Sequence, residues 1–360
     1  MNPETSTENQ VKSATSVATR SGSLKVFGIV LTAFGIGLFV YFVYSVGVSE
    51  IASNIGRFGV LGFAVILTIY GVRIFFRAAA WTLSVYEPYK LSMRDTVPAV
   101  IIGEAMSSTI PLGILISGTA KAVAVRKKVP LVVGLSSIAT ENLFYSFTTT
   151  IVLISGAFVF TRWFTSDADV ALAINILIGL MIAMFIFLVL LVVKQWHFAS
   201  ETCEWLYRRG ILTGVLDHGR LQVRLFENLI YGFYRRHPKR FVPICLAELA
   251  FHGLGVVEVW FILGRIAEPA AQLVSAFLLE SVSRLISIVF KLIPFVIGVD
   301  EAGAQFVADA VGVGASIGIT LALIRKGRIL FWTAIGWLLI VRRGIRLRNV
   351  GWPKRNTENL

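Results

Sequence analysis

Ionisable side chains set within apolar runs of bilayer-spanning length constrain this chain more than any other feature. The clearest case is residues 280–303, ESVSRLISIVFKLIPFVIGVDEAG. This stretch carries Glu280, Arg284, Lys291, Asp300 and Glu301 and is broken by Pro294, Gly298 and Gly303. An ionised group at membrane depth costs about 3 kcal/mol on insertion scales, so such groups line a cavity or a pathway. Proline and glycine beside them point to a broken or re-entrant helix, which is tolerated only where protein or water surrounds it.

Composition agrees. Of 360 residues, 56% are hydrophobic and only 15% charged, against roughly 25% charged in a soluble domain. Several runs reach the ~18 apolar residues of a membrane helix. The chain reads as an all-α, polytopic transmembrane bundle of about eight spans, an even number. The net charge of +13 falls largely in loops beside spans, where the positive-inside rule and anionic lipid headgroups account for it without nucleic acid. Cys203 and Cys245 form no disulfide framework and no metal-binding pair.

Residues 1–23 are polar and read as a disordered cytoplasmic tail. The run 26–48 exceeds a signal-peptide core and reads as an uncleaved first crossing, begun in the cytoplasm by Arg20 and Lys25. A turn at 56–60 leads to a second helix at about 61–85. Arg73 and Arg77 share one face of it, either snorkelling to the inner headgroups or meeting a lipid headgroup or buried carboxylate.

Residues 97–120 hold Glu104, Pro111 and several glycines between two basic loops, with Lys121 beginning the second. A re-entrant hairpin satisfies both the charges and the backbone. A full crossing would require the apolar region 130–160, with Glu141 inside it, to split in two. Trp163 and Phe164 anchor the outer end of that region, and 170–193 returns inward. The loop 194–240 is strongly basic and cytoplasmic. In it Leu221, Leu225, Leu229 and Phe233 recur every four residues, as on a helix lying on a membrane or packed beneath the bundle. Spans follow at 241–264 and 270–293, then apolar stretches at 302–324 and 329–341. The tail 346–360 is basic and asks for the cytoplasm, which the RKGR run at 325–328 contradicts if both last stretches cross.

The two broken regions echo each other: Glu104, Pro111, glycines and Lys121 in one, Glu280, Arg284, Pro294, Gly298, Asp300 and Glu301 in the other. Paired Gly/Pro-interrupted segments in two halves point to a transporter's midplane site. Glu248 and His252, four apart, read as a hydrogen-bonded structural pair, since no second histidine or HExxH motif supports a metal. No nucleotide, hydrolase or dinucleotide motif is present, and no cofactor is expected.

Three segments carry a family resemblance: LGVVEVWFIL at 254–263, ESVSRLISIVFKLIPFVIGVDEAGAQF at 280–306, and ALIRKGRILFWTAIGWLL after them. On these the chain, over about 25–345, resembles the lysylphosphatidylglycerol synthase transmembrane (flippase-like) family, closest to its hopanoid-associated branch of lipid transporters. Pro294, Gly298, Val299, Glu301, Ala302 and Gly303 occupy the family's proline, glycine-turn and glutamate positions, whereas Phe295 and Asp300 depart from the usual Pro-Gly and Gln or Arg. The resemblance implies a flippase-like domain over 24–345 in a prokaryotic cytoplasmic membrane, with both termini inside. The aminoacyl-transfer domain of the two-part synthases is not among these residues, so synthase activity is not carried over.

The expected function is movement of a lipid or lipid-linked molecule, anionic for preference, past a polar intramembrane cavity. The substrate-binding candidates are Arg73, Arg77, Glu104, Lys121, Glu141, Glu280, Arg284, Asp300 and Glu301, with no catalytic residue. The alternatives are an intramembrane lipid-modifying transferase, with Glu104, His252 or Glu301 as base, and an accessory protein that recruits lipid-biosynthesis enzymes.

Overall fold

The computed structural model describes residues 48–109, 113–164, 168–210, 213–267, 272–290 and 293–343, with residues 37, 40, 41 and 44. The tails 1–23 and 346–360 and most of the expected crossing 26–48 lie outside these. Among the described residues all regular structure is helical.

The chain divides into two units of matching plan. In the first, a long helix α1 (Val48–Leu83) is followed by two short ones, α2 (Met93–Thr109) and α3 (Gly113–Ala124), and by a long α4 (Leu131–Trp163). In the second, a long α8 (Phe241–Ile266) is followed by the short α9 (Leu273–Val289) and α10 (Val299–Ala310), and by a long α11 (Ala315–Arg342). The short helices match in length, 17 then 12 residues in each unit. At ~1.5 Å per residue they reach about 25 and 18 Å, less than the ~30 Å hydrocarbon core. Between the units lie α5 (Ala168–Val193), α6 (Phe198–Arg208) and α7 (Thr213–Arg236).

Each short pair is an antiparallel hairpin. In the first, Lys128, just beyond α3, pairs with Asp95 at the start of α2 at 2.9 Å, and Lys121 packs on Gly103. In the second, Gly303 lies against Ile286 and Val282, and the turn Pro294–Val296 makes the bend. The expected hairpin over 97–120 is therefore present. The region after it stays whole, one helix of 33 residues, so no split into two spans occurs.

The two hairpins enter from opposite ends. One core cluster gathers Ile74, Trp81 and Leu91 with Ala99, Ala122 and Ile138, at the end holding the base of the first hairpin. Another gathers Phe58 and Ile66 with Ile262, Ala276, Val307 and Ile317, at the base of the second. The tips meet mid-bundle, where the turn Pro294–Val296 touches α2. The arrangement is an inverted pair of broken hairpins, the layout in which transporters place midplane sites.

Local chemistry explains the elements. α1 kinks at Gly59, whose φ of 69° and ψ of 172° break the helix inside the expected turn at 56–60. Asp95 receives the Ser92 N–H and hydroxyl at 3.0 and 2.6 Å, capping α2. Its slight burial raises the carboxyl's pKa, but the Ser92 donors and Lys128 outweigh this and hold it below its usual value. The second hairpin's turn carries Phe295 and Val296 at φ 55° and 51°, then Gly298 at 84°.

Among the described residues, three helical segments are long and apolar enough to cross a membrane by length and composition: Val48–Leu83, Leu131–Trp163 and Pro238–Ile266, with a shorter apolar run Ile174–Phe187 in α5. Large apolar side chains such as Phe75, Ile151, Leu180, Leu246 and Leu338 cover the outside of the bundle, as expected of surface in contact with lipid. The arginine-rich α7 packs beneath the bundle through Phe233, which is buried and donates its N–H to Tyr86 Oη at 2.9 Å, while Leu225 stays exposed. The expected apolar stripe is thus split between bundle and surroundings.

The break expected between 302–324 and 329–341 is not observed. Instead α10 ends at Ala310, and α11 runs unbroken from Ala315 to Arg342 through the RKGR run. Arg325, Lys326 and Arg328 are buried mid-helix side chains rather than a loop. This removes the topological conflict, because those charges are neutralised within the bundle.

Candidate functional site: a charged cavity between the hairpin tips

Glu258 and Glu280, from α8 and α9, form the floor of the site. Both are essentially unexposed. Arg73 of α1 bridges them, at 2.9 Å to Glu258 and 3.3 Å to Glu280. Glu280 also receives Arg284 at 2.5 Å and Arg325 at 2.7 Å, and Glu258 receives Arg328. Each buried ion costs several kcal/mol to desolvate, which is recovered only where partners are close and well oriented. Three arginines converge on Glu280 and two on Glu258, so cationic charge exceeds what the floor needs.

The excess faces a cavity of about 250 Å³. For scale, an engineered cavity of ~150 Å³ takes up a benzene. Its walls include Arg73, Arg77, Lys121, Arg284, Arg325 and Arg328, against only two carboxylates, Glu104 and Asp300. Glu104 accepts from Tyr70 Oη at 2.9 Å. The hairpin tips contribute hydroxyls of Ser107, Ser108 and Ser117 and the turn residues Phe295 and Val296. Each tip brings one helix N-terminus and one C-terminus to mid-depth, so the helix dipoles largely offset each other. The charged side chains of the lining itself are mostly cationic, with Glu258, Glu280 and Glu141 behind them as counter-charges.

Of the sequence-predicted residues, Arg73, Arg77, Glu104, Lys121, Arg284 and Asp300 line the cavity together. Glu141, Glu280 and Glu301 stand behind them. Glu141 holds Arg77 at 3.3 Å. Glu301 is fully buried, accepts the Gly298 N–H at 2.7 Å and pairs with Lys326 at 2.7 Å, so it fixes the start of α10. Asp300, at the cavity wall, and Glu301 are both buried. Arg73 and Arg77 meet buried carboxylates instead of snorkelling.

The expected hydrogen bond between Glu248 and His252 is absent. His252 Nε2 lies 3.0 Å from Thr149 Oγ1 and its ring stacks on Tyr145, both on α4. No cluster of three or more ligating side chains able to hold a metal occurs among the described residues.

Sequence reasoning missed Glu258, Arg325, Lys326 and Arg328 as site residues. A signal existed: a basic run between two apolar stretches, together with acids in other spans that need cations. It could not be used without knowing that α11 is continuous.

Together these features define an integral membrane protein, a helix bundle with two oppositely inserted broken hairpins around a polar cavity. More specifically, the chain belongs to the family described as the lysylphosphatidylglycerol synthase TM region, which matches residues 25–336. No curated protein and no solved structure shows significant similarity to it.

Proposed function

We propose that this protein moves a lipid with an anionic headgroup across the membrane, the headgroup passing through the cavity while its acyl chains stay in lipid. The observation that carries this reading is the lining: six cationic side chains against two carboxylates, at the junction of two hairpins entering from opposite ends. Arginine suits the task, since its guanidinium grips phosphate through two parallel hydrogen bonds. Family membership supports a role in lipid handling. The basic segment 194–240 and the basic C-terminal residues favour cytoplasmic placement under the positive-inside rule. They also favour anionic lipid, or an enzyme of lipid biosynthesis, as neighbour.

The test is dithionite bleaching of fluorescent phosphatidylglycerol and phosphatidylcholine in proteoliposomes containing the purified chain. Bleaching beyond the outer leaflet's share is expected for the anionic probe, and its rate should fall at least tenfold in Arg284→Gln. That variant keeps the fold, because Glu280 retains Arg73 and Arg325. Equal rates for wild type and variant would remove the cavity from the path.

A further inference from the structure

Among the described residues, one buried acid has neither an ion-pair partner nor a hydrogen-bond donor. Glu248 of α8 is fully buried and neither carboxylate oxygen meets a hydrogen-bond donor. The group within hydrogen-bonding reach is another carboxyl, Glu141 of α4, itself buried. Glu141 has Arg77 at 3.3 Å. The other groups acting on Glu248 are Arg77 from α1, Lys121 from α3, and Cys245 on its own helix. Arg73, Arg284, Arg325 and Arg328 are engaged with Glu258 and Glu280. Glu258 lies ten residues, about 15 Å, further along α8.

Two carboxyls in contact in a buried site repel each other when both are ionised, and of these two only Glu141 has an ion-pair partner, Arg77. An isolated buried carboxylate neutralises rather than pay its desolvation, and two acids sharing a site split so that one keeps its proton. With a proton on Glu248, its O–H donates to Glu141, which satisfies both groups. Arg77 then balances the single remaining charge.

We propose that Glu141 and Glu248 form a proton-sharing carboxyl pair, and that Arg77 couples this proton to an anionic headgroup in the cavity. Arg77 belongs to both sites, lining the cavity and holding Glu141. A headgroup that draws Arg77 towards itself weakens its hold on Glu141 and adds negative charge nearby. Both effects make the pair keep its proton more tightly. Linkage is reciprocal, so the proton in turn favours headgroup binding. Anion and proton therefore enter and leave together, and a proton gradient drives the lipid in the direction the proton flows. The coupling rests on the reading of the cavity as a headgroup site, whereas the shared proton does not.

Two measurements on the full chain separate these. Infrared spectroscopy of the purified protein at neutral pH should show the carbonyl stretch of a buried protonated carboxylic acid, lost in Glu248→Gln. No such band, or a band unchanged in Glu248→Gln, would overturn the pair. Gln preserves size and donates to Glu141, so the variant's melting temperature serves as the folding check. In the second measurement, a gradient of one pH unit is imposed on proteoliposomes holding fluorescent phosphatidylglycerol. One proton per lipid should change the probe's leaflet ratio about tenfold in wild type, with no response in Glu248→Gln. A leaflet ratio indifferent to the gradient would overturn the coupling. No movement of any probe under any gradient would overturn the transport reading and the coupling with it, leaving the infrared band to decide the pair.

Discussion

At the scale of single residues, the bundle depends on charges that have several partners. Glu258 shows this best, since it neutralises Arg73 and Arg328 with no exposure of its own. Removing one member of a buried ion pair leaves an uncompensated charge and costs about 3–5 kcal/mol. Glu258→Gln should therefore lose stability on that order, seen as a lowered thermal midpoint in detergent. Adding Arg328→Met to it should recover part of the loss, because one stranded cation is then gone. If the single variant melts like wild type, the pairing is not as described. Gly255 serves the same network by being small. A Cβ there would lie 2.4 Å from Glu280 Oε1 and 2.9 Å from Arg73 Nη2. The pair can pass close over α8 only because no side chain stands in its way.

At the scale of elements, the second hairpin's turn sets a conformational demand on one residue. Phe295 has a φ of 55°, in the left-handed region that glycine adopts without strain. A non-glycine residue pays roughly 1–2 kcal/mol there. Phe295→Gly should therefore be more stable than Phe295→Ala by about 1 kcal/mol, the reverse of the order inside a helix. Comparing the two variants cancels the lost ring contacts, and thermal unfolding reads the difference. Alanine equal to or above glycine would mean the turn is not left-handed. The equal arm lengths of the two hairpins, by contrast, were hidden from sequence. Their breaks were legible in Pro111, Pro294 and Gly298, but helix ends inside apolar sequence leave little compositional trace.

At the scale of the whole molecule, the inverted plan fixes which loops share a side. Residues 84–92, 125–130, 194–210 and 213–240 sit at one end of the bundle, and 311–314 at the other, as the core clusters and the bond from Arg240 to the Val85 carbonyl at 3.1 Å require. Cys203 of α6 is a native reporter of this. In a Cys245→Ala background, an impermeant thiol reagent should label Cys203 from the same side as a cysteine placed at Lys127. A cysteine at Gly312 should label only from the opposite side. Labelling of Cys203 and Gly312→Cys from one side would refute the inverted arrangement.

The sequence by itself determined that this is a membrane bundle, that two segments are broken, and that Arg73, Arg77, Glu280 and Arg284 present their charges on helix faces. Those properties follow from local composition and from the 3.6-residue period. The i,i+4 pair Glu280–Arg284 was legible for that reason, and the structure closes it at 2.5 Å. Tertiary structure alone shows that Arg325, Lys326 and Arg328 lie buried within one helix, that they answer acids 70 or fewer residues earlier in the chain, and that Glu248 faces Glu141 rather than His252. Ion pairing in a medium of low dielectric depends on distance through space. Helices remote in sequence decide which charge is neutralised and which is left to face the cavity.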